Sequence, residues 1–330
     1  MNFSPLVSII LPMKNAEKWV YQTIDSIQKQ TILDWELIVI DDHSTDSSYE
    51  LVSKIKQLDS RVNLLKNSGF GIIPALQRGL NEAKGLFLTR IDADDLMPSN
   101  RLKAMVDFLD SQPNKTIVTG NVNYFSEIPI SEGYLKYEKW LNDRVQFNDF
   151  YKHIYRECIV ASPNWMGRVE DFKKYQLFDK LRYPEDYDLC FHWQENNFLI
   201  KGIDEVTLLW REHPERTSRN SGNYQQPAFF KMKLEWFLKN HTTDSSIGII
   251  GFGSKGKICA TYFHESKQAF SLYDLEFKRF QSPFLNKKIL DPNLIDDELV
   301  LIARFPENTT AIQNFVESKG YEIGINAFWV

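Results

Sequence analysis

Through the first hundred positions, apolar residues come in short blocks that alternate between two periods. Val7-Ser8-Ile9-Ile10-Leu11 is a nearly continuous apolar run closed by Pro12, which predicts a strand buried on both faces. Trp19, Val20, Thr23, Ile24 and Ile27 then repeat at helical spacing. Glu36–Ile40 predicts a second strand, which ends in the acidic turn Asp41-Asp42-His43-Ser44-Thr45-Asp46. Ser44 or Thr45 is placed to cap the next helix, marked by Leu51, Val52, Ile55 and Leu58. Arg61–Leu65 is a third strand, and Ile73, Leu76, Leu80 and Ala83 mark a helix stopped by Gly85. A fourth strand, Leu86–Ile91, runs into Asp92-Ala93-Asp94-Asp95, and Leu102, Met105, Val106 and Leu109 give one more helical face.

Strands alternating with helices predict an α/β fold around a mostly parallel sheet, with ligands at the carboxyl ends of the strands. Both acidic clusters fall at such ends. Residues 115–240 are less regular, interrupted by Pro129, Pro163, Pro184 and Pro214, and Trp236 and Leu238 close a helix near their end. The polar stretch His241–Ser246 reads as a linker. A fresh strand begins at Ile247, so the expected division is a domain over 1–240 and a small α/β module over 246–330.

Composition narrows the function. Lys and Arg number 39 against 44 Asp and Glu, a formal charge of −5, so no basic excess marks a nucleic-acid partner. Cys158, Cys190 and Cys259 are widely spaced and odd in number, as in reduced core residues rather than a metal site. The chain opens without a leader pattern and has no apolar run of about 20 residues, so the expected location is cytoplasmic. Peripheral association with the inner face of a membrane stays open.

Four clusters have chemical potential. Asp92 and Asp94 stand two apart at a strand end; carboxylates aimed at one point need a cation, and hard oxygens select Mg²⁺ or Mn²⁺, although an isolated D-x-D is also common in solvated loops. Asp41 and Asp42 could accept hydrogen bonds from a base edge or a ribose, or serve only as caps. In Tyr183-Pro184-Glu185-Asp186-Tyr187-Asp188, one partly desolvated carboxylate could be a general base, the alternative being helix N-terminal charge. Arg211–Arg219 is dense in cations around His213, suited to phosphate oxygens or to a solvated loop.

In order along the chain, Val7–Pro12 through Asn15, Glu36–Asp46, Arg90-Ile91-Asp92-Ala93-Asp94-Asp95 and Glu185–Leu189 resemble the family 2 glycosyltransferases of GT-A fold, over about residues 5–220. Members serving bacterial cell-surface polysaccharide assembly are the most similar. The resemblance implies a GT-A, Rossmann-like, mostly parallel sheet with flanking helices. It places Pro12 and Asp42 at the nucleotide base, with Asn15, Asp41 and Arg216 in the donor site. Arg90 and Asp92 approach the ribose and diphosphate, Asp94 with Asp92 holds the metal, Asp186 is the catalytic base, and His213 lies in the loop that closes over the diphosphate. Two positions depart from the family pattern. Lys14 stands where many members have a base-stacking Tyr, and His43 replaces a common Gly.

The tail carries Gly251-Phe252-Gly253-Ser254-Lys255-Gly256 between a strand and a helix, with Asp274 about twenty residues on. Gly251, Gly253, Gly256 and Asp274 are therefore a candidate nucleotide site, although the unit is short for a complete cofactor domain. It is similar to small Rossmann-like modules appended to some family 2 transferases, which favours a structural or docking role. The expected function is an inverting, metal-dependent transfer from a nucleotide sugar, of UDP type, to a saccharide or lipid-linked acceptor. A nucleotidyltransferase and, on the tail alone, an NAD-dependent oxidoreductase are the alternatives.

Overall fold

The computed structural model describes residues 5–241, 245–303 and 309–330, and the chain divides into two compact units. The first runs to Phe150 and resumes over Ile159–Asn220; the second joins Tyr151–Cys158 to Ser221–Val330.

Seven strands build the first unit: β1 (Val7–Met13), β2 (Trp35–Asp41), β3 (Val62–Lys66), β4 (Phe87–Arg90), β5 (Thr116–Phe125), β6 (Met166–Arg168) and β7 (Leu199–Arg211). Their order is β3-β2-β1-β4-β6-β5-β7. Only β6 runs against its neighbours, so the sheet is mostly parallel, as expected. The helices are α1 (Val20–Gln28), α2 (Ser48–Leu58), α3 (Ile72–Glu82), α4 (Arg101–Asp110), α5 (Glu132–Phe147), α6 (Val169–Lys174), α7 (Glu185–Glu195) and the short α8 (Thr217–Asn220).

The apolar run of β1 is continuous because both faces are covered. Val7, Ile9, Leu11 and Met13 join one buried cluster with Ile24 and Ile27 of α1 and Met105 and Leu109 of α4. Ile10 points the other way, onto α3, where a Cβ on Gly79 would lie 2.6 Å from it. Pro12 does not close β1 as expected; the strand continues to Met13, with Pro12 opposite Ile40 of β2. Proline is tolerated there because the β4 partner register ends at Ile10 opposite Arg90, so no neighbour needs its missing N–H.

The irregular middle hides the two longest strands. β5 and β7 pair in parallel over ten positions, with register shifts between Gly120 and Val122. The ends of β1, β2, β4 and β7 therefore open on the same edge of the sheet, and this positions the site.

In the second unit, β8 (Ile247–Ile250), β9 (Ser271–Tyr273), β10 (Ile289–Leu290), β11 (Leu299–Ile302) and β12 (Ala327–Trp329) form an all-parallel sheet of order β10-β9-β8-β11-β12. With α9 (Gln226–Asn240), α10 (Ser254–Glu265) and α11 (Thr309–Ser318), this is a Rossmann-like arrangement. The expected boundary at 240 differs from this division. α9 groups with the second unit, because Phe237 packs edge-on against Tyr155 and Phe328, with ring centroids 5.3 and 5.5 Å away. Residues 242–244 of the expected linker lie outside the described residues. Among the described residues, no helix is long and apolar enough to cross a membrane.

The turn between β8 and α10 shows what its glycines do. A Cβ on Gly256 would sit 1.9 Å from the Gly251 carbonyl oxygen, whereas one on Gly253 would meet nothing. Gly256→Ala should therefore destabilise the chain by about 2–3 kcal/mol through forced backbone displacement. Gly253→Ala should cost under about 1 kcal/mol. Urea unfolding of both variants checks this, and equal effects would refute the close-approach argument.

Candidate active site

The acidic turn after β2 is held by its own side chains. Asp42 is buried, and its Oδ1 accepts from Asn67 Nδ2 at 2.7 Å and from the Gly71 N–H at 2.9 Å. Its Oδ2 faces the Lys14 ammonium at 3.3 Å. Asp41, also buried, accepts from the Ser44 N–H. Asn15 is exposed and reaches across to this turn: its Oδ1 accepts from Thr45 N at 2.8 Å, and its own N–H donates to Ser44 Oγ. Pro12 is partly exposed just before it.

Neither Ser44 nor Thr45 caps α2. Asp46 does that work, accepting from the Ser48 N–H and hydroxyl and from Glu17 N, and bonds to Ser48 hold its carboxyl below the usual range despite burial. His43, which stands where the family commonly has Gly, adopts the left-handed conformation itself at φ 58°, with Nε2 2.9 Å from Gly69 O.

At the end of β4, Ala93 points into the core and Asp92 and Asp94 point out. The segment is a turn rather than the extended stretch expected, because Asp95 N donates to Asp92 O at 3.2 Å. The two carboxylates therefore take different partners. Asp92 Oδ1 accepts from Arg90 Nε at 2.9 Å and pairs with its terminal nitrogen at 2.8 Å. Asp94 Oδ2 lies 2.8 Å from His213 Nε2.

The imidazole of His213 packs on Trp19, ring centroids 4.0 Å apart, and among the described residues its buried Nδ1 has no hydrogen-bond partner. A pairing of Leu96 with Leu209 brings β7 alongside this turn, so Arg211 donates its N–H to Asp95 Oδ1 at 2.8 Å and Nε to Asp94 O at 2.6 Å. Asp95 is only 1% exposed, and burial pushes it well above the usual carboxylate range. Burial also lowers Arg101, which donates to Thr89, Arg90 O and Pro163 O, to about 9.

The Arg211–Arg219 run is no solvated loop at its start: Arg211, Glu212 and His213 are buried. Glu212 pairs with Arg216 at 3.1 Å and Arg219 at 2.5 Å, and the Arg216 guanidinium lies over Trp210 at 4.9 Å. Arg216 thus clamps the loop from within its own segment.

Glu185 and Asp186 open α7, in the stretch expected to hold a base. Glu185 is buried and pairs with Arg90 at 3.2 Å, so a single guanidinium joins the end of β4 to the start of α7. Asp186 is partly exposed beside it, with Oδ1 accepting from Tyr187 N at 2.8 Å. Burial and then the neighbouring Glu185 charge raise Asp186 to about 7 against the pull of Arg90. A pocket next to it is walled by Leu76, Val160, Trp165 and Trp193. Asp188 is wholly buried and anchors Arg182. Glu185, Trp19 and Asn67 were not singled out as site residues from sequence; only the acidic pattern around Glu185 signalled any of them.

In the second unit, Gly251 takes φ 100°, and Asp274 spends Oδ2 on the Phe252 N–H at 2.7 Å and Oδ1 on Glu276 N at 2.8 Å. Phe252 packs edge-on against Phe280 and Phe284.

The family model described as Glycosyl transferase family 2 matches residues 8–176. An uncharacterized glycosyltransferase of Methanocaldococcus jannaschii is 26% identical, over 72% of this chain and 81% of its own length. One from Haemophilus influenzae is 28% identical over 71% and 74%, and EpsJ of Bacillus subtilis, also an uncharacterized glycosyltransferase, 25% over 64% and 62%. Among solved structures, S. aureus TarS 1–349 in complex with UDP-GlcNAc matches at TM-score 0.54 and 18% identity, over 78% of this chain and 71% of that one. That likeness is one of fold, and it makes the first unit GT-A.

The Arg90 bridge has a testable cost. Arg90→Ala removes the ion pair of the buried Glu185 and should destabilise by about 3–5 kcal/mol. Adding Glu185→Gln should recover more than about 1 kcal/mol of that, because the buried charge is gone. Chemical denaturation of the single and double variants measures it; no recovery would mean that Glu185 does not depend on Arg90.

Proposed function

The chain belongs to glycosyl transferase family 2, and on that premise we propose that it is an inverting transferase moving a sugar from a uridine diphosphate donor to a hydroxyl of a saccharide or lipid-linked acceptor. The observation that carries the mechanism is Asp186: a partly exposed carboxylate raised to about 7, at the same sheet edge as Asp42, Asp94 and His213. The acceptor class rests on the resemblance to transferases of cell-surface polysaccharide assembly.

Asp42 favours uridine. Its Oδ1 already accepts two N–H groups, which leaves Oδ2 for the base. Uracil offers one N–H between two carbonyls, so Oδ2 can take that proton while Lys14, now 3.3 Å away, donates to a flanking carbonyl. Guanine presents two adjacent N–H donors and suits a carboxylate with both oxygens free.

Asp94 and His213 suit Mn²⁺ or Mg²⁺. A carboxylate oxygen and an imidazole nitrogen meet at 2.8 Å, and among the described residues no group of three such side chains gathers. Two protein ligands, completed by phosphate oxygens and water, are what these ions accept. When bound, the ion supplies positive charge against the departing diphosphate. Asp92 is neutralised by Arg90 and approaches the donor as half of an ion pair.

The chemical step balances on Asp186. Its carboxylate takes the proton from the acceptor hydroxyl as that oxygen bonds to the anomeric carbon, while the bond from that carbon to the diphosphate oxygen breaks on the opposite face. The nucleoside diphosphate leaves with the electron pair, through a transition state of oxocarbenium character. Glu185 serves the step indirectly, by keeping Asp186 raised and Arg90 fixed.

Two outcomes follow. Asp186→Asn should cut turnover by about 10²–10⁴-fold with donor affinity nearly unchanged. Protonation disables the base, so wild-type kcat should fall tenfold per pH unit below about 7 and level off above it. Transfer assays across pH with donor titration check both, and a full rate at pH 5 would remove Asp186 from the role. Separately, Asp94→Ala should abolish Mn²⁺-dependent UDP binding in calorimetry while leaving the melting temperature within a few degrees; unchanged affinity would show that the ion, if used, sits elsewhere.

A further inference from the structure

Phe70 has the most exposed aromatic ring among the described residues, 79% open to solvent. A lone exposed Phe means little, but this one is held in place. Its ring stacks on His43, centroids 4.5 Å apart and 28° between planes. His43 in turn is fixed by its bond to Gly69 O and by its left-handed backbone.

The Phe70 loop is tied to the acidic turn on both sides of the ring. Asn67 Nδ2 and Gly71 N both donate to Asp42 Oδ1, Asn67 N donates to Asp41 O at 2.8 Å, and Gly69 N donates to Asn67 Oδ1. Residue 70 therefore cannot shift without disturbing the carboxylate assigned above to the base edge. A two-ring surface immobilised next to a hydrogen-bonding carboxylate is what a nucleobase requires: an apolar face to cover its π-system and a polar partner for its edge. Lys14, at the second carboxylate oxygen of Asp42, can donate a hydrogen bond but presents no ring.

From this juxtaposition we infer that the Phe70–His43 pair is the stacking surface for the donor's nucleobase, and that Phe70 is a determinant of nucleotide affinity. The inference rests on the nucleotide-sugar reading above. Every base has a π-face, so stacking supplies affinity with little selectivity, and Asp42 with Lys14 selects the base.

The test uses the full chain. UDP, GDP, CDP and ADP are titrated with Mn²⁺ by calorimetry, and inorganic pyrophosphate, which has no base, is measured alongside. Phe70→Ala should weaken the tightest-binding diphosphate by about 10- to 100-fold. Pyrophosphate affinity and melting temperature should not move, since the ring is exposed. Phe70→Tyr should restore binding to within about threefold, because it keeps the ring. His43→Asn, which tolerates the left-handed backbone, should give a smaller loss of the same kind.

Unchanged nucleotide affinity in Phe70→Ala overturns the inference. So does an equal loss of pyrophosphate, which would mark a general disturbance of the loop. A wild-type chain that binds none of the four nucleotides overturns the donor reading itself, and this inference with it.

Discussion

Five carboxylates, those of Asp92, Asp94, Asp95, Glu185 and Asp186, converge at one edge of the first sheet, and the structure there depends on how their mutual repulsion is met. Two unit charges a few ångströms apart in a partly desolvated site repel by several kcal/mol, so such a cluster stands only with cations or protons among its members. Arg90 pairs with Asp92 and Glu185 at once. His213 meets Asp94, the backbone of Arg211 reaches Asp95, and the buried Arg101 lies close enough to Asp95 and Asp92 to feel both. Together these contacts join α7, α4 and the end of β7 to the end of β4, so the charge balance is also the cross-bracing of the site.

The same balance separates two adjacent carboxylates into different tasks. Glu185 is buried and spends its charge on Arg90. Among the described residues Asp186 receives one hydrogen bond, from Tyr187 N, and burial, with the negative charge of Glu185 beside it, raises its carboxyl to about 7. A carboxylate poised there can hold and release a proton at physiological pH, while its neighbour keeps the surrounding field constant. Neighbouring positions at one helix start thus differ by which of them faces the guanidinium.

β1, β2 and β4 were legible in the sequence because burial on both faces leaves apolar runs, and the acidic residues at the ends of β2 and β4 stood out against those runs. β3, at the sheet edge, showed as a shorter alternating stretch. β5 and β7 were not legible: their pairing is long-range, and the register shifts near Gly120 break the two-residue alternation that would mark them. The charge run at Arg211–Arg219 misled in the other direction. Charged residues are solvated by default, yet here Arg211, Glu212 and His213 are buried through contacts with Asp95, Arg216 and Asp94. His43 and Asp46 show the limit of residue-by-residue rules. A left-handed residue need not be Gly, and the capping group need not be the nearest hydroxyl, when side chains across the turn satisfy the backbone.

The glycine pattern of the second unit marks a further limit of the same kind. A G-x-G-x-x-G turn has two separable needs, one for the backbone to pass close to itself and one for a phosphate to approach. Gly256 answers the first, since a Cβ there would sit 1.9 Å from the Gly251 carbonyl oxygen and only glycine lets the helix start pass so close. The second falls to Gly253, where a Cβ would meet nothing, and the ribose of a bound nucleotide would call on an acidic residue with its oxygens turned outward. Asp274 instead accepts from Phe252 N and Glu276 N, so its charge is used to hold the turn whose glycines advertise a ligand. Folding therefore accounts for Gly256 and Asp274 in this unit, while the space beside Gly253 is open. In the first unit Asp186 differs: its partly exposed carboxylate takes one backbone N–H, from Tyr187, while the buried Glu185 beside it holds the structural pairing with Arg90.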